Sequence, residues 1–271
     1  MQKLAIILAH FKVKKRVIYQ LKAVIFDVDG TLAETERDGH RIAFNQAFSA
    51  AGLDWFWDEA LYGQLLAVSG GKERISYYLS SFHTDYEYDG SMALLIDSLY
   101  AAKTQFYVAL LATKSIGLRP GIARLIKALR YANLRIAIAT ASTTENVSAL
   151  IYSTLGETAE AWFDCIAAGD IVKTKKPAPD IFDYCLAEMD LSATECLVIE
   201  DSENGVKASL AAGIPTIVTL NSYTEEDDFS GAISVLNHLG DADLACQVLA
   251  GASIMSDAVT VDDLKAFHAR Q

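Results

Sequence analysis

Cysteine is scarce in this sequence, and its few cysteines are not spaced as metal ligands. Only four of the 271 residues are cysteines, and none belongs to a C-x-x-C pair or another spacing typical of zinc or iron–sulfur sites: Cys165, Cys185, Cys196 and Cys246. We expect them to be small buried hydrophobic residues in a reducing cytosol. The sequence therefore predicts a cytoplasmic protein.

Positive charge is also scarce. The chain has 23 lysines and arginines against 35 aspartates and glutamates, which gives a formal net charge of −12. This balance argues against nucleic acid and anionic membranes as partners, because both need a basic surface. A small anionic substrate fits only where a few cations are placed locally. With 52% hydrophobic residues, we expect one or two globular domains with a substantial core, and a monomer.

Internal repeats, low-complexity tracts and long apolar runs are absent from the sequence as well. Residues 1–20 contain a short apolar patch, residues 4–8, which is followed rather than preceded by basic residues. That order and length do not match a secretory signal, and the patch is too short to span a bilayer. We predict an N-terminal extension with no assigned role.

A short apolar run that ends in two acids is the most informative stretch. Residues 23–26 predict a strand buried on both faces, as in a parallel sheet. Asp27 and Asp29 follow directly, at the end of the strand where ligands bind in open α/β sheets. Gly30 permits a turn that brings the backbone close to a ligand, and Thr31 adds a hydroxyl. Two acids alone are also common in plain turns, but the apolar run and the Gly-Thr pair favour a site.

The rest of the chain predicts helices first and then alternating strands and helices. No strand signal occurs between residues 36 and 116, where residues 92–113 have the pattern of one long amphipathic helix. Strand patterns then recur, separated by helical patterns, at residues 134–139, 163–168, 196–199 and 216–219. They are followed by an edge strand at 232–236 and a closing helix at 244–249.

This alternation predicts an α/β fold with a doubly wound parallel sheet and an inserted all-helical segment. We expect the Rossmann-like core to comprise residues 21–33 and 117–271. We expect residues 34–116 to form a helical cap that selects the substrate.

Polar residues follow several of the predicted strands, so we expect them to meet at one edge of the sheet. Thr140 or Ser142 offers a hydroxyl, and the N-terminus of the next helix offers free N–H groups for a phosphate; the segment comprises Thr140, Ala141, Ser142 and Thr143. Lys176, which precedes Pro177, would add an ammonium group at the same edge. Glu200 and Asp201 supply the last acids.

Several carboxylates at one sheet edge predict a metal ion. Two unit charges ~4 Å apart repel each other by about 4 kcal/mol at an effective dielectric constant near 20. Asp27, Asp29 and Asp201 would therefore not all stay ionised without a cation. A ligand set made only of oxygen favours Mg²⁺ over Zn²⁺, so we predict Mg²⁺ as cofactor. Glu200 would bind it through water or support the other ligands.

The segment from Asp27 to Thr31 resembles the first motif of the haloacid dehalogenase-like (HAD) hydrolases. The polar residues at the later strand ends are similar, in order, to the other three motifs of that family. The resemblance implies that Asp27 attacks phosphorus and becomes an aspartyl-phosphate, and that Asp29 is the general acid and base. It implies that Thr140 and Lys176 bind the transferring phosphoryl group.

For the metal, the same resemblance implies three ligands. These are the carboxylate of Asp27, the backbone carbonyl of Asp29 and the carboxylate of Asp201.

The predicted helical segment contains one candidate anion site. Two glycines precede Lys72 and would leave free N–H groups at a helix start, with cationic side chains beside them. We therefore expect substrate contacts from residues 70–74, which are Gly70, Gly71, Lys72, Glu73 and Arg74. The alternative is a surface helix start with a Lys/Arg face. The spacing does not match a Walker P-loop, which argues against nucleotide binding.

Two further residues near the first strand are candidate substrate contacts. Glu36 lies seven residues beyond Asp29, close enough to reach a polar substrate from the hinge. His40 is a candidate contact too, although a structural histidine is an equal alternative.

Together with the run from Glu36 to Arg41, Trp55-Phe56-Trp57 and residues 70–74, these motifs are similar to the CbbY-type proteins. The match covers residues 21–243. Members of that group of capped HAD phosphatases hydrolyse xylulose 1,5-bisphosphate, an inhibitory misfire product of Rubisco. The resemblance implies that Glu36 and residues 70–74 contact the sugar or the distal phosphate. We expect Lys72 or Arg74 to hold that phosphate while the other phosphate lies at Lys176, so that closure depends on the correct substrate.

Alternatives to a Mg²⁺-dependent sugar-bisphosphate phosphatase remain open at this point. A β-phosphoglucomutase-like enzyme would share core and cap but return the phosphoryl group to sugar instead of water. A non-catalytic sugar-phosphate binder is disfavoured, because binding alone needs no pair of acids. A dehalogenase would need neither Asp29 nor a metal, and a phosphonatase would use a cap lysine such as Lys72 as a Schiff-base amine.

Overall fold

The computed structural model describes residues 20–270, so the predicted extension lies outside the described residues apart from Gln20. Its centre is one sheet, built from β1 (Ala23–Phe26), β2 (Arg135–Thr140), β3 (Cys165–Ala168), β4 (Cys196–Glu200), β5 (Thr216–Thr219), β6 (Ser234–Leu236) and β7 (Val248–Gly251). The strand order is β3-β2-β1-β4-β5-β6-β7. All neighbouring pairs are parallel except β6 and β7, which pair antiparallel at the edge.

The central strand is β1, and its register brings the later strand ends beside its own. All four of its residues are fully buried, as its uninterrupted apolar sequence predicts for a strand covered on both faces. Phe26 lies opposite Ile138 of β2 and Ile199 of β4. Asp27, one residue beyond β1, is therefore level with the last residues of both neighbouring strands.

Helices cover both faces of this sheet. They are α1 (Arg41–Ala50), α2 (Glu59–Leu65), α3 (Gly71–Ser81), α4 (Met92–Ala112), α5 (Ile122–Tyr131), α6 (Thr144–Leu155), α7 (Asp180–Met189), α8 (Glu203–Ala211) and α9 (Val261–His268). Alternate residues of β1 point into two separate cores: Val24 packs with apolar side chains of α5, α6 and α9, and Ile25 with those of α7 and α8. No helix among residues 20–270 combines the length and apolar character needed to cross a bilayer.

The helices α1 to α4 lie between β1 and α5 and have an apolar cluster of their own. Its centre is Trp57, which is fully buried, with its ring centroid 4.7 Å from that of Phe44 and 4.8 Å from that of Phe48. The Asn45 side chain both donates to and accepts from the backbone of Trp57, at 2.8 Å each, and this fixes the loop before α2. This aromatic core packs the four helices against one another, while Ala43 of α1 and Tyr107 and Leu111 of α4 also join the core of the sheet.

The predicted fold class, an α/β fold with a doubly wound parallel sheet, is confirmed. The long helix expected at residues 92–113 is α4. The prediction of a closing helix at residues 244–249 is wrong. That region leads into β7, which pairs with β6, and the actual closing helix is α9. A short, mostly apolar run of six residues fits a strand and a helix equally well, and only pairing with β6 decides between them. The division into core and cap at residues 34–116 stays a prediction.

Candidate active site

Asp27 lies at the bottom of a cleft, directly after β1. Its backbone N–H donates to the carbonyl of Ile199 at 3.0 Å, so the chain is still held in sheet geometry at this point. Its side chain is buried, and Oδ1 accepts a hydrogen bond from Nζ of Lys176 at 2.6 Å. A carboxylate fixed by both backbone and side chain in this way has one oxygen engaged and the other available for chemistry.

Lys176 reaches this carboxylate from the loop between β3 and α7. Its ammonium group also donates to Glu200 Oε1 at 2.5 Å and to the carbonyl of Ala139 at 2.9 Å. Burial by itself would lower the pKa of Lys176, but the charges of Asp27 and Glu200 outweigh burial and raise it. The lysine is therefore a permanent positive charge at the end of the central strands.

Three carboxylates meet beside this single lysine. Oxygen atoms of Asp27, Glu200 and Asp201 lie within 4.8 Å of one another, and all three side chains are buried. Burial, and then repulsion from the neighbouring acids, raises the pKa of Asp201 well above its usual range; burial also raises that of Asp27, against the attraction of Lys176. One ammonium group cannot neutralise three carboxylates, so this donor set fits a divalent cation that prefers oxygen ligands.

Asp29 is not part of this carboxylate group, although we expected its side chain to converge there. Its Oδ1 accepts hydrogen bonds from Thr35 Oγ1 at 2.6 Å and is 2.8 Å from His40 Nε2. Burial would raise the pKa of Asp29, but the charge of His40 and the hydrogen bonds from His40 and Thr35 outweigh burial and lower it far below its usual range. Asp29 is consequently an ionised acceptor in this arrangement, and Glu200 is the third carboxylate of the group.

The two acids at the end of β4 have different surroundings. Glu200 Oε2 accepts from the backbone N–H of Asp201 at 2.9 Å and from the hydroxyl of Ser202 at 3.2 Å, so both of its oxygens are occupied by protein donors. A Cβ at Gly205 would lie 1.9 Å from the Glu200 carboxyl group, so only glycine lets α8 approach it this closely. With both oxygens occupied, Glu200 is suited to orienting the neighbouring groups rather than to binding a metal ion itself.

Asp201 is oriented from two sides. Thr31 Oγ1 donates to its Oδ1 at 3.1 Å, and Asn221 Nδ2 donates to its Oδ2 at 2.6 Å. We did not predict Asn221, although it lies two residues beyond β5 and the strand-end argument used for the other residues would have found it.

A second polar group faces the cleft from the helical segment. Arg74, in α3, is buried and lies 3.3 Å from both carboxylate oxygens of Glu36. Its Nη1 also donates to the hydroxyl of Tyr62 at 2.7 Å, and that hydroxyl donates to Glu36. Tyr62 was not predicted either, since its sequence position resembles that of any core aromatic residue on a helix.

A cavity of about 450 Å³ joins the two polar groups. Predicted residues that line it are Asp27, Asp29, Glu36, Gly70, Arg74, Thr140, Ala141, Lys176 and Asp201. The other predicted residues do not line it: His40, Gly71, Lys72, Glu73, Ser142, Thr143 and Glu200.

Lys72 points elsewhere than we expected. Its ammonium group is 2.7 Å from Asp97 of α4, and 42% of its side chain is exposed. Glu73 in turn faces Lys175 at 3.6 Å. On a helix, residues 72 and 74 lie about 200° apart, so only one of the two can face the cleft, and it is Arg74.

The segment after β2 supplies hydroxyls to different partners. Thr140 Oγ1 accepts from the backbone N–H of Ser142 at 3.1 Å, and Thr143 caps the N-terminus of α6 by accepting from the N–H of Asn146. Ser142 Oγ is 3.2 Å from His40 Nε2, and the His40 ring stacks on Tyr107 with centroids 4.0 Å apart. His40 therefore links this segment to Asp29 rather than facing the cavity itself.

Comparison with known proteins agrees with this geometry. A family model described as haloacid dehalogenase-like hydrolase matches residues 21–213. The chain is 45% identical to the plasmid-borne protein CbbY of Cupriavidus necator, over 82% of this chain and 87% of that protein. It is 46% identical to CbbY of Rhodobacter capsulatus, over 79% of this chain and 91% of that protein.

Solved structures of CbbY also resemble this chain in fold. CbbY from Rhodobacter sphaeroides in complex with phosphate is 44% identical, with a TM-score of 0.75 over 81% of this chain and 95% of that chain. A mutant of the same protein, in complex with xylulose-(1,5)bisphosphate, matches equally well, with a TM-score of 0.75, 44% identity and the same coverage of both chains. A β-phosphoglucomutase from Clostridium difficile has a TM-score of 0.70 at 20% identity, over 93% of this chain and 98% of that one, and so shares the fold.

Proposed function

Since this chain belongs to the haloacid dehalogenase-like hydrolases and is a phosphoric monoester hydrolase, we propose that it removes one phosphate from a sugar bisphosphate, with Mg²⁺ as cofactor. The best candidate substrate is xylulose 1,5-bisphosphate. One observation carries the proposal: a single cavity joins the reactive group at Asp27 and Lys176 to a buried arginine, Arg74, on the helical segment. The CbbY structure with xylulose-(1,5)bisphosphate supports the choice of sugar.

The reaction has two steps. In the first, an oxygen of Asp27 attacks phosphorus, a bond from that oxygen to phosphorus forms, and the bond to the sugar oxygen breaks. The sugar oxygen leaves with a proton from Asp29. In the second step, Asp29 takes a proton from water, the water oxygen attacks phosphorus, and the aspartyl–phosphorus bond breaks to give phosphate and free Asp27.

Lys176 would stabilise the negative charge that develops on the phosphoryl group in both steps. Its ammonium group, held between Asp27 and Glu200, lies where the transferring phosphoryl group would arrive and needs no reorganisation as charge develops. Thr140 and the N-terminus of α6 would offer hydrogen-bond donors to the same group.

The carboxylates of Asp27 and Asp201 and the backbone carbonyl of Asp29 would hold Mg²⁺, with Glu200 in support. When bound, the ion would supply positive charge against the phosphate oxygens. The excess of buried acids over buried lysine at this place supports the assignment.

Asp29 must carry a proton to act as acid, yet its present partners keep it ionised. Both partners, Thr35 and His40, belong to the helical segment that we propose as the cap. We infer that closure on substrate exchanges these contacts, so that the Asp29 carboxylate turns to the leaving oxygen. Substrate binding and acid catalysis would thereby be coupled.

The second phosphate would bind at Arg74. It would take the place of Glu36 beside the guanidinium group, whose planar fork suits phosphate. Lys72, which pairs with Asp97 at the surface, is not needed for this contact.

The test is phosphate release from a panel of sugar mono- and bisphosphates, with and without Mg²⁺. We expect one phosphate per bisphosphate molecule, at a higher kcat/KM than for any monophosphate, and none after chelation. Conversion of glucose 1-phosphate to glucose 6-phosphate without phosphate release would contradict the proposal and identify a mutase. Binding of the same sugars with no turnover of any of them would identify a binding protein.

A further inference from the structure

Arg119 is a buried arginine in the linker from the helical segment back to the sheet, and the mechanism above gives it no role. Its backbone N–H donates to the carbonyl of Leu32 at 2.8 Å, and its neighbour Leu118 pairs with Ala33, so the outgoing and returning linkers run side by side. The residue is only 7% exposed. Burial of a guanidinium group is costly unless its donors find acceptors, which makes those acceptors informative.

The five N–H groups of Arg119 all have acceptors. These belong to the outgoing linker and to the carboxyl ends of three strands, β1, β5 and β6: Glu34 Oε1 at 2.8 Å, the carbonyls of Gly30 and Leu220, the carbonyl of Thr219 at 2.9 Å and that of Asn237 at 3.0 Å. One side chain thus joins both linkers to the strand ends that surround the acids.

Two of these acceptors directly precede the residues that orient Asp201. Gly30 precedes Thr31, and Leu220 precedes Asn221; the two donors hold Oδ1 and Oδ2 of Asp201 at 3.1 and 2.6 Å. The Gly30 turn itself lies against this carboxylate, because a Cβ there would come within 2.2 Å of Asp201 Oδ2. A shift of either loop would therefore be transmitted to Asp201.

We propose that Arg119 is a positioning residue for Asp201: by holding the carbonyls of Gly30 and Leu220, it places the two side-chain donors that orient this carboxylate. The inference rests on the proposed function for the identity of the ion that Asp201 binds. A lysine cannot replace the arginine, because a single ammonium group cannot reach carbonyls on several loops in the planar geometry of the guanidinium fork.

The test compares Arg119→Lys with the same change at Arg124. Arg124 donates to the carbonyls of Leu239 and Gly240, at 3.0 Å each, and is also partly buried, but it holds none of the loops that orient Asp201. Titration calorimetry of the metal-free full-length protein with Mg²⁺ gives the affinity, and steady-state kinetics give kcat and KM.

We expect Arg119→Lys to weaken Mg²⁺ binding by about 10- to 100-fold, the usual effect of losing a partner that orients a ligand. We also expect kcat to fall while KM for the sugar phosphate stays within about twofold, since the loss concerns the reacting group rather than substrate binding. Arg124→Lys should leave the Mg²⁺ affinity and kcat unchanged.

Equal weakening in both variants would overturn the proposal, because it would reflect a general loss of order. An unchanged Mg²⁺ affinity in folded Arg119→Lys would overturn it as well. If that variant does not fold, Arg119→Gln serves instead, because its single amide group cannot hold the carbonyls of Gly30, Thr219, Leu220 and Asn237 together. We expect a weakening of Mg²⁺ binding at least as large as for Arg119→Lys, and an unchanged affinity would overturn the proposal.

The proposed function and this inference fail in different ways. A wild-type protein that binds Mg²⁺ but releases no phosphate from sugar phosphates would overturn the proposed function alone. The Mg²⁺ affinities of Arg119→Lys and Arg124→Lys would still test the role of Arg119.

Discussion

The two polar groups that face the cleft differ in their balance of charge. At the sheet edge, three buried carboxylates share one lysine, Lys176. On the helical segment, Glu36 and the Tyr62 hydroxyl pair with the Nη atoms of Arg74 and the formal charges cancel, while Arg74 Nε has no acceptor. The first group is electrostatically incomplete and needs a cation. The second is complete in charge, so an anion that binds the Nη atoms must displace Glu36.

This difference suggests how reaction and selectivity are divided between the two regions. An incomplete group binds its metal strongly and holds a phosphoryl group whatever sugar carries it. At a group that is already complete, the binding free energy is only the difference between the new contact and the one it replaces. A poorly placed second phosphate therefore adds no affinity. Under the proposed function, selectivity would come from the helical segment, and the chemistry from the sheet.

The largest expected effect is at the sheet edge. Asp27→Asn should lower kcat by about 10⁴-fold or more, because an amide cannot attack phosphorus and the covalent intermediate is lost. Steady-state phosphate release measures this loss, and circular dichroism controls for folding. A variant that keeps a tenth of the wild-type rate would contradict covalent catalysis by this residue.

Asp29→Asn tests the residue that links the two regions. We expect kcat to fall by at least ~10²-fold, since the amide can neither give a proton to the sugar oxygen nor take one from water. Mg²⁺ affinity should change little, because the carbonyl of residue 29 is retained. A small loss of kcat with a large loss of Mg²⁺ affinity would instead assign the Asp29 side chain to the metal.

A pair of variants on α3 tests the charge balance of the helical segment. Arg74→Lys should raise KM for a bisphosphate by about 10- to 100-fold, as one or two charge-assisted hydrogen bonds are lost. The same variant should affect a monophosphate much less, because that substrate does not reach Arg74.

Lys72→Met is the matched control, at a half-exposed position two residues away. Its kinetic constants should equal those of the wild type for both substrates. Equal losses in Lys72→Met and Arg74→Lys would show that α3 binds the distal phosphate through its surface, against the geometry.

The smallest effect concerns stability rather than catalysis. Lys103, in α4, is buried beneath the rings of Phe44, Tyr100 and Tyr107, with Nζ 5.1 to 5.5 Å from their centroids. Burial lowers the pKa of Lys103 to about 8, although the charges of Asp29 and Glu36 oppose this shift.

Because the native state releases this proton at lower pH than the unfolded state, the free energy of unfolding should rise with pH above 8. Between pH 8 and 9.5 the rise attributable to Lys103 should reach about 1.5 kcal/mol. Urea unfolding of the wild type and of Lys103→Met at both pH values measures it as a difference, which cancels the other titrating groups. Parallel pH dependences in the two proteins would show that Lys103 is ordinarily solvated.

The sequence permitted more to be predicted at the sheet edge than on the helical segment. Asp27, Lys176 and Asp201 come together because each follows a strand of a parallel sheet, and such strands end at one edge in any sequence with this alternation. No comparable rule relates residues on α2 and α3. Tyr62 and Arg74 meet only because the aromatic cluster around Trp57 sets the packing of these helices.

The same reasoning explains the predictions that the structure corrects. The Asp29 carboxylate was expected among the metal-binding acids, yet Thr35 and His40 hold it elsewhere, and their approach depends on how the helical segment packs. Likewise, residues 244–249 do not form a helix, because pairing with β6 fixes Val248 and Leu249, with the two residues after them, as strand β7.

By itself, the order of residues determined the sheet, the acids at its edge and the class of reaction, because strand ends and motif spacing are local properties. Tertiary structure alone decided which α3 cation faces the cleft, where the Asp29 carboxylate points and that Arg119 joins three strand ends. Those outcomes depend on contacts between residues far apart in the chain, and side-chain direction at such contacts follows from packing rather than from sequence spacing.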